Sequence, residues 1–106
     1  KNMGNGNVDN VIKEVERAFF NRQVFVRENA NGLEISPTLN QNCQDQEMIY
    51  VEDEGAEIVA GYYREEEQDE KVSIEAFNIF NSTDKSILSE LKSYFRNNLG
   101  VTTVIG

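Results

Sequence analysis

Two segments of the chain repeat apolar residues every three or four positions, which is the spacing of an amphipathic helix. The first is expected to begin near Asp9 and to end at Asn21, and its apolar positions are Val8, Val11, Ile12, Val15, Phe19 and Phe20. In the second, the polar residues 81–84 provide a helix cap, and the apolar positions that follow are Ile87, Leu88, Leu91, Tyr94, Phe95 and Leu99. The pattern predicts one helix near each end of the chain.

Between these helices the apolar residues alternate or form β-branched runs, which predicts strands. Residues 23–28 and 33–36 flank Asn31-Gly32, a pair that favours a tight turn at positive φ, so they predict a hairpin. Residues 48–51 and 56–63 flank an acidic turn in which Gly55 suits the left-handed position. Residues 71–80 predict a fifth strand, with a bulge or an end where the alternation changes at Phe77.

Strands grouped between two helices, without alternation of strand and helix, predict an α+β fold. We expect an antiparallel β-meander of about five strands with the N-terminal and C-terminal helices packed on one face. Residues 101–105 predict a short sixth strand or a tail that pairs elsewhere. Residues 1–8 are rich in Gly and Asn and predict a flexible lead-in, which leaves residues 9–106 as one α+β domain.

The sheet face opposite the helices is expected to be exposed. Its expected members are Glu34, Glu57, Ser73 and Glu75, together with one of Tyr62 and Tyr63. Adjacent residues of a strand point to opposite faces, so only one tyrosine of this pair can lie there.

Charge is distributed unevenly along the chain, whose net charge is −9. Residues 45–75 contain twelve acidic and two basic residues, a net charge of −10, and the rest of the chain carries +1. Such a region repels a phosphate backbone, and the chain has no basic stripe with aromatic readers. Direct binding to nucleic acid is therefore excluded.

Several residue types on which catalysis and metal binding depend are absent or scarce. The chain has no His and one Cys, Cys43, whose neighbours include no base that would activate it. The acidic residues lack the spacing of a calcium loop. We expect no catalytic or metal-binding residue, no cofactor and no enzymatic activity.

The lone cysteine and the absence of a long apolar run bear on location. A single thiol forms no internal disulfide, which favours the cytoplasm, with an exported mature fragment beginning at Lys1 as the alternative. No apolar run approaches the roughly 20 residues of a membrane span, so no membrane association is expected.

Two acidic runs and a tyrosine pair predict a partner-binding surface, because tyrosine and arginine often anchor interfaces and carboxylates attract a basic partner. The predicted residues are Glu52, Asp53, Glu54, Glu57, Tyr62, Tyr63, Arg64, Glu65, Glu66, Glu67, Asp69 and Glu70. The structural alternative is that the charge runs keep loops solvated and that the tyrosines pack across strands.

These observations leave three functional hypotheses. The first is a non-enzymatic interaction or regulatory module that binds a basic protein through an acidic surface and the exposed sheet face. The second is an inhibitor that mimics nucleic acid; a mimic requires a continuous ribbon of carboxylates, whereas a module requires a rim around Tyr62, Tyr63 and Arg64. The third is a small-ligand binder with a pocket between helices and sheet. A homodimer through the C-terminal strand is compatible with each of them.

Overall fold

The computed structural model describes residues 6–20, 22–37, 47–68, 71–99 and 102–104. The predicted α+β fold is confirmed. The helices are α1 (Gly6–Ala18) and α2 (Ser86–Leu99), and the strands are β1 (Phe25–Glu28), β2 (Gly32–Ser36), β3 (Glu47–Asp53), β4 (Ile58–Gln68), β5 (Lys71–Ser82) and β6 (Thr102–Val104). Neither helix is long and apolar enough to cross a membrane.

The strands form one sheet in the order β5-β4-β3-β2-β1-β6. Strands β1 to β5 follow one another as the predicted antiparallel meander. The chain then passes through α2 and returns beside the first strand, so β6 pairs with β1 in parallel. The C-terminal segment is therefore a strand of the same sheet.

Both helices pack against one face of the sheet, here called the helix side. The register places Ile49 of β3 opposite Ile35 of β2 and Tyr62 of β4, so alternate residues of the three strands share this face. The buried helix residues that complete the core are Val8, Val11, Val15, Ile87, Leu91 and Phe95, and Phe19, which follows α1, packs with them. The opposite face, on which no described helix packs, is called the outer face.

The ends of α1 differ from the prediction. The helix begins at Gly6, so residues 6–8 belong to it and not to a lead-in, because Val8 is only 9% exposed and packs into the core. It ends at Ala18, before Phe20, which is therefore turned away from the core and 73% exposed. Residues 1–5 lie outside the described part of the chain, as does Cys43.

The first hairpin turn is displaced by one residue from the predicted pair. The Asn29 amide donates to the Gly32 carbonyl (2.9 Å), which places the two-residue loop on Ala30 and Asn31. Asn29 Oδ1 accepts from the Gly32 amide (2.8 Å) and so fixes the turn. Gly32 is required for close approach and not for positive φ, because a Cβ there would lie 1.8 Å from the Val51 carbonyl oxygen.

The second turn agrees with prediction, since Gly55 has φ 92°. The acidic and amide residues 65–68, which lie beyond the predicted strand of residues 56–63, also belong to β4, because the strand continues to Gln68 and their backbone pairs with residues 71–74 of β5. The pairing between β3 and β4 ends at Glu47 and Arg64. Among the described residues, residues 65–68 therefore pair with β5 alone and form a two-stranded ribbon with it. A bulge is present in β5, but at Ile79 and not at Phe77 as predicted: Ile79 is the extra residue between the pairs formed by Asn78 and Phe80.

An ion pair fastens α2 to β1. Glu28 is only 3% exposed and accepts two hydrogen bonds from Arg96, at 2.7 Å from Nε and 2.5 Å from Nη2. The paired carboxylate is thereby satisfied inside the protein, as a buried charge requires. The contact fixes the end of α2 that leads into β6.

Candidate functional site

The two acidic runs of the predicted surface lie at opposite ends of β4. Glu52 lies opposite Val59, and the second run begins six residues further along this strand at Glu65, so at about 3.3 Å per residue the two runs are roughly 20 Å apart. Glu66 and Glu67 belong to β4, but their side chains lie outside the described part of the chain, as do Asp69 and Glu70. The runs therefore do not form one cluster.

The predicted patch of Tyr62, Tyr63 and Arg64 is divided between the two faces. Tyr63 pairs with Met48 and lies on the outer face, whereas Tyr62 and Arg64 lie on the helix side. One tyrosine of the pair is thus on the outer face as expected, but Arg64 is not beside it. Because these residues lie on two faces, the carboxylates of the described residues do not form one rim around all three.

The outer-face assignments of other acids are partly confirmed. Glu34 lies on the outer face, opposite Tyr50. Glu75 does not, because its pairing with Arg64 puts it on the helix side. The bulge further along β5 shifts the alternation of side chains by one residue. A strict alternation along the whole strand therefore predicts the wrong face for Glu75. The side chain of Ser73 lies outside the described part of the chain.

The acidic residues of the β3–β4 turn are partly committed to holding that turn. Asp53 Oδ1 accepts from Lys85 Nζ at 2.7 Å and from the Gly55 amide at 2.8 Å. The Lys85 hydrogen bond, followed by the Gly55 amide, lowers the pKa of the Asp53 carboxyl. Glu57 accepts a hydrogen bond from Asn81 (3.2 Å), while Glu54 is exposed.

The outer face combines tyrosines with carboxylates. Its middle is formed by Tyr50 and Tyr63, both half-buried. Tyr50 lies across Gly61, where an added Cβ would be 2.3 Å from the phenol oxygen. The Tyr63 hydroxyl donates to Glu65 at 3.3 Å. Both rings are therefore held in place by the sheet itself.

Negative charge is concentrated on this face. Burial, followed by the neighbouring charges of Glu54 and Glu34, raises the pKa of the Glu52 carboxyl. Among the outer-face residues that the structure describes, the single base is Arg27, which is 4% exposed. Its Nη2 donates to Ser36 Oγ at 2.8 Å, and its Nε lies 3.7 Å from a Glu34 oxygen. The exposed charge of this face is consequently carboxylate.

On the helix side, a cleft of about 450 Å³ lies between α1 and the strands β4 and β5. The Tyr62 and Phe77 rings line it, with centroids 5.8 Å apart. The Tyr62 hydroxyl donates to Glu47 at 3.0 Å, and Glu47 is also paired with Arg22 at 2.5 Å. Burial, followed by the hydrogen bond to Glu47, raises the pKa of the Tyr62 hydroxyl. Of the predicted residues, Tyr62 and Arg64 are brought together here.

Sequence reasoning missed most of this cleft. Lys13 and Arg17 line it together with Arg64, and their spacing of four residues on one helix is a signal that could have been found. Phe77 of the edge strand β5 is 49% exposed and lines the cleft. No sequence pattern indicated that α1 would cross this end of the sheet.

The described residues contain no group of three Cys, Asp or Glu side chains arranged to hold a metal ion. In comparisons with known proteins, no family model, curated protein or solved structure matches this chain. The features of the molecule that bear on function are therefore the outer face and the cleft on the helix side.

Proposed function

We propose that the protein is a non-enzymatic interaction module that binds a basic protein through the outer face. The observation that carries the proposal is the arrangement of Tyr50 and Tyr63 among Glu34, Glu52 and Glu65 on a face without a described helix. Tyrosines supply apolar contact area, and the carboxylates supply charge complementarity.

The electrostatics of this face support a cationic partner. Glu52 is half-buried beside Glu34 and Glu54, and their mutual repulsion is relieved when a Lys or Arg side chain lies between them. Arg27, which is buried beneath the face, pairs with Glu34 at 3.7 Å, and the charges that act on Glu52 are those of Glu54 and Glu34. A basic partner therefore gains more here than at a scattered carboxylate.

Because Tyr62 and Arg64 lie on the helix side, the proposed module uses the carboxylates around Tyr50 and Tyr63 in place of the predicted rim. The alternative of nucleic-acid mimicry is less well supported. A mimic requires carboxylates in a continuous ribbon, but Tyr50 and Tyr63 separate Glu52 and Glu34 from Glu65 on the described outer face. Spaced carboxylates around aromatic side chains suit protein side chains better than a groove built for evenly spaced phosphates.

The test is capture of partners from a lysate of the source, quantified at 50 and 300 mM salt (~14 and ~6 Å Debye length). We expect a basic protein whose capture falls several-fold at high salt and with Glu52→Gln/Glu65→Gln. The control Glu16→Gln/Glu90→Gln removes the same charge from exposed helix positions and should leave capture unchanged. Equal loss with both variants contradicts a specific outer-face site.

A competition arm separates the module from the mimic. If duplex DNA displaces the protein from its captured partner, the partner's nucleic-acid site is occupied and mimicry is favoured. If DNA has no effect while Glu52→Gln/Glu65→Gln still abolishes capture, the interaction module is favoured.

We also propose a homodimer through the C-terminal strand, which the sheet order supports because β6 is the last strand. Ending the chain at Gly100 removes that strand and is expected to reduce the mass measured by sedimentation equilibrium to that of the monomer. An unchanged oligomer in a chain that retains its circular dichroism spectrum contradicts the proposal.

A further inference from the structure

We propose that the cleft on the helix side binds an acidic peptide in an extended conformation, which adds to the sheet as a strand beside β5. The proposal does not rest on the function assigned to the outer face, because the cleft lies on the other side of the sheet and has the opposite charge.

The first argument is the position of β5. It is the terminal strand of the sheet order, and within the described residues its outward edge pairs with no other strand. It has twelve residues, and the side chains of residues 75–78 are all exposed. Long open edges offer unpaired amides and carbonyls to an added strand, and the bulge at Ile79 limits the straight portion to residues 71–78.

The second argument is that the cleft is continuous with this edge. Three consecutive residues of β5 line it: Phe77, Asn78 and Ile79. Alternate side chains of an added strand point to the helix side, about 7 Å apart, and would enter the cleft. An apolar side chain in the central position would cover the half-exposed Phe77 ring next to Tyr62.

The third argument is charge complementarity. Lys13, Arg17 and Arg64 line the cleft, and Glu14, which is paired with Arg17 at 2.8 Å, is the only acidic residue among its described lining residues. The described lining is therefore positive in a chain of net charge −9. At physiological salt the Debye length is about 8 Å, so the distant carboxylates of the outer face are largely screened.

A peptide explains these features better than a small anion does. A small acid would use the cations and the rings but would leave the edge of β5 unpaired. A peptide with an acidic residue two positions from an aromatic residue would contact the cations, the aromatic rings and the edge of β5. Glu75 lies opposite Arg64 in the register, so we expect the principal acidic contact at the α1 end, near Lys13 and Arg17.

The experiment titrates the full chain with a capped seven-residue peptide of threonines that has a central phenylalanine and a glutamate two residues to each side. Binding is followed by amide chemical shifts and by hydrogen exchange. We expect shifts around the cleft and slowed exchange of alternate amides in residues 71–78. In a second version of the peptide, the amides that would face β5 are N-methylated. It should bind at least about fivefold more weakly, because it cannot donate hydrogen bonds to the carbonyls of β5.

Two variants locate the site. Phe77→Thr is expected to weaken binding at least about fivefold, and Lys13→Gln a few-fold. Asn97→Asp changes the net charge by the same amount as Lys13→Gln, at an exposed position of α2, and should have no effect. Shifts without slowed exchange in β5, or equal binding of phenylacetate and the peptide, would show a small-anion site and overturn the proposal. An absence of any shift at millimolar peptide would also overturn it.

Discussion

The two faces of β3 and β4 are built from alternate residues of the same strands, yet they differ in almost every property. On the helix side, Ile49, Val51 and Ala60 are fully buried beneath the helices. On the outer face, the residues next to them in sequence, Tyr50 and Glu52, remain half-exposed. Within these two strands, the helix-side residues form the core, and the outer-face residues stay in contact with solvent.

The charged residues of the two faces differ in the same way. On the helix side Glu28 is paired with Arg96, and Glu47 with Arg22. On the outer face Glu52 has like charges as neighbours. These two helix-side carboxylates are therefore paired with arginines, whereas Glu52 on the outer face has other carboxylates as its charged neighbours.

The largest expected effect follows from truncating a core residue. Ile49→Ala removes a fully buried side chain and is expected to lower the free energy of unfolding by about 3 kcal/mol. Met48→Ala, one residue earlier and half-buried on the outer face, is expected to cost about 1 kcal/mol. Urea unfolding measures both. Equal losses would mean that the outer face is packed as tightly as the core.

An intermediate effect is expected at the buried ion pair. Arg96→Ala leaves the Glu28 carboxylate buried without its two donors and is expected to lower the free energy of unfolding more than the loss of an exposed ion pair does. Arg17→Ala breaks only the exposed pair with Glu14 on one helix and is expected to cost about 0.3 kcal/mol.

A double-mutant cycle sharpens that comparison. If Glu28→Ala and Arg96→Ala have additive effects on the free energy of unfolding, the two side chains do not stabilise one another and the pair is not a clamp between α2 and β1.

The sequence predicted those elements of the fold whose signals lie in neighbouring residues. Helical spacing around Leu91 and alternation around Ile49 are set by neighbouring residues, and both elements were identified. The strand status of residues 65–68 was missed because four consecutive polar residues are typical of a loop, and only pairing with residues 71–74 makes them a strand.

The candidate site was less predictable because it depends on contacts distant in sequence. Alternation correctly separated Tyr62 from Tyr63, but the same alternation puts Arg64 on the face of Tyr62, so the three residues do not form the single predicted patch. Lys13 and Arg64 are 51 positions apart in the chain, and only the packing of α1 over β4 and β5 brings them to one cleft.

The smallest expected effects concern pH and have opposite signs at two adjacent residues. Asp53 has a lowered pKa, caused first by its hydrogen bond to Lys85. Its contribution to stability is present above the unfolded value of 3.8 and is lost as the pH falls through the folded-state pKa. Lys85→Met should therefore reduce the loss of stability on acidification, as measured by urea unfolding between pH 2 and 5, and an unchanged acid limb would contradict the pairing.

Glu52 is expected to behave in the reverse way. Its pKa is raised by burial and by Glu54 and Glu34, so the folded state holds the proton more tightly than the unfolded chain. Stability is consequently lost as the pH rises from the unfolded value of 4.5 through the folded-state pKa. Glu52→Gln should remove this loss and raise the free energy of unfolding at pH 7 by about 0.5 kcal/mol. The control Glu16→Gln should not. A stabilised Glu52→Gln that also binds the basic partner less well would show that the outer face sacrifices stability to keep charge for binding, whereas a destabilised variant would place Glu52 with the structural carboxylates of the helix side.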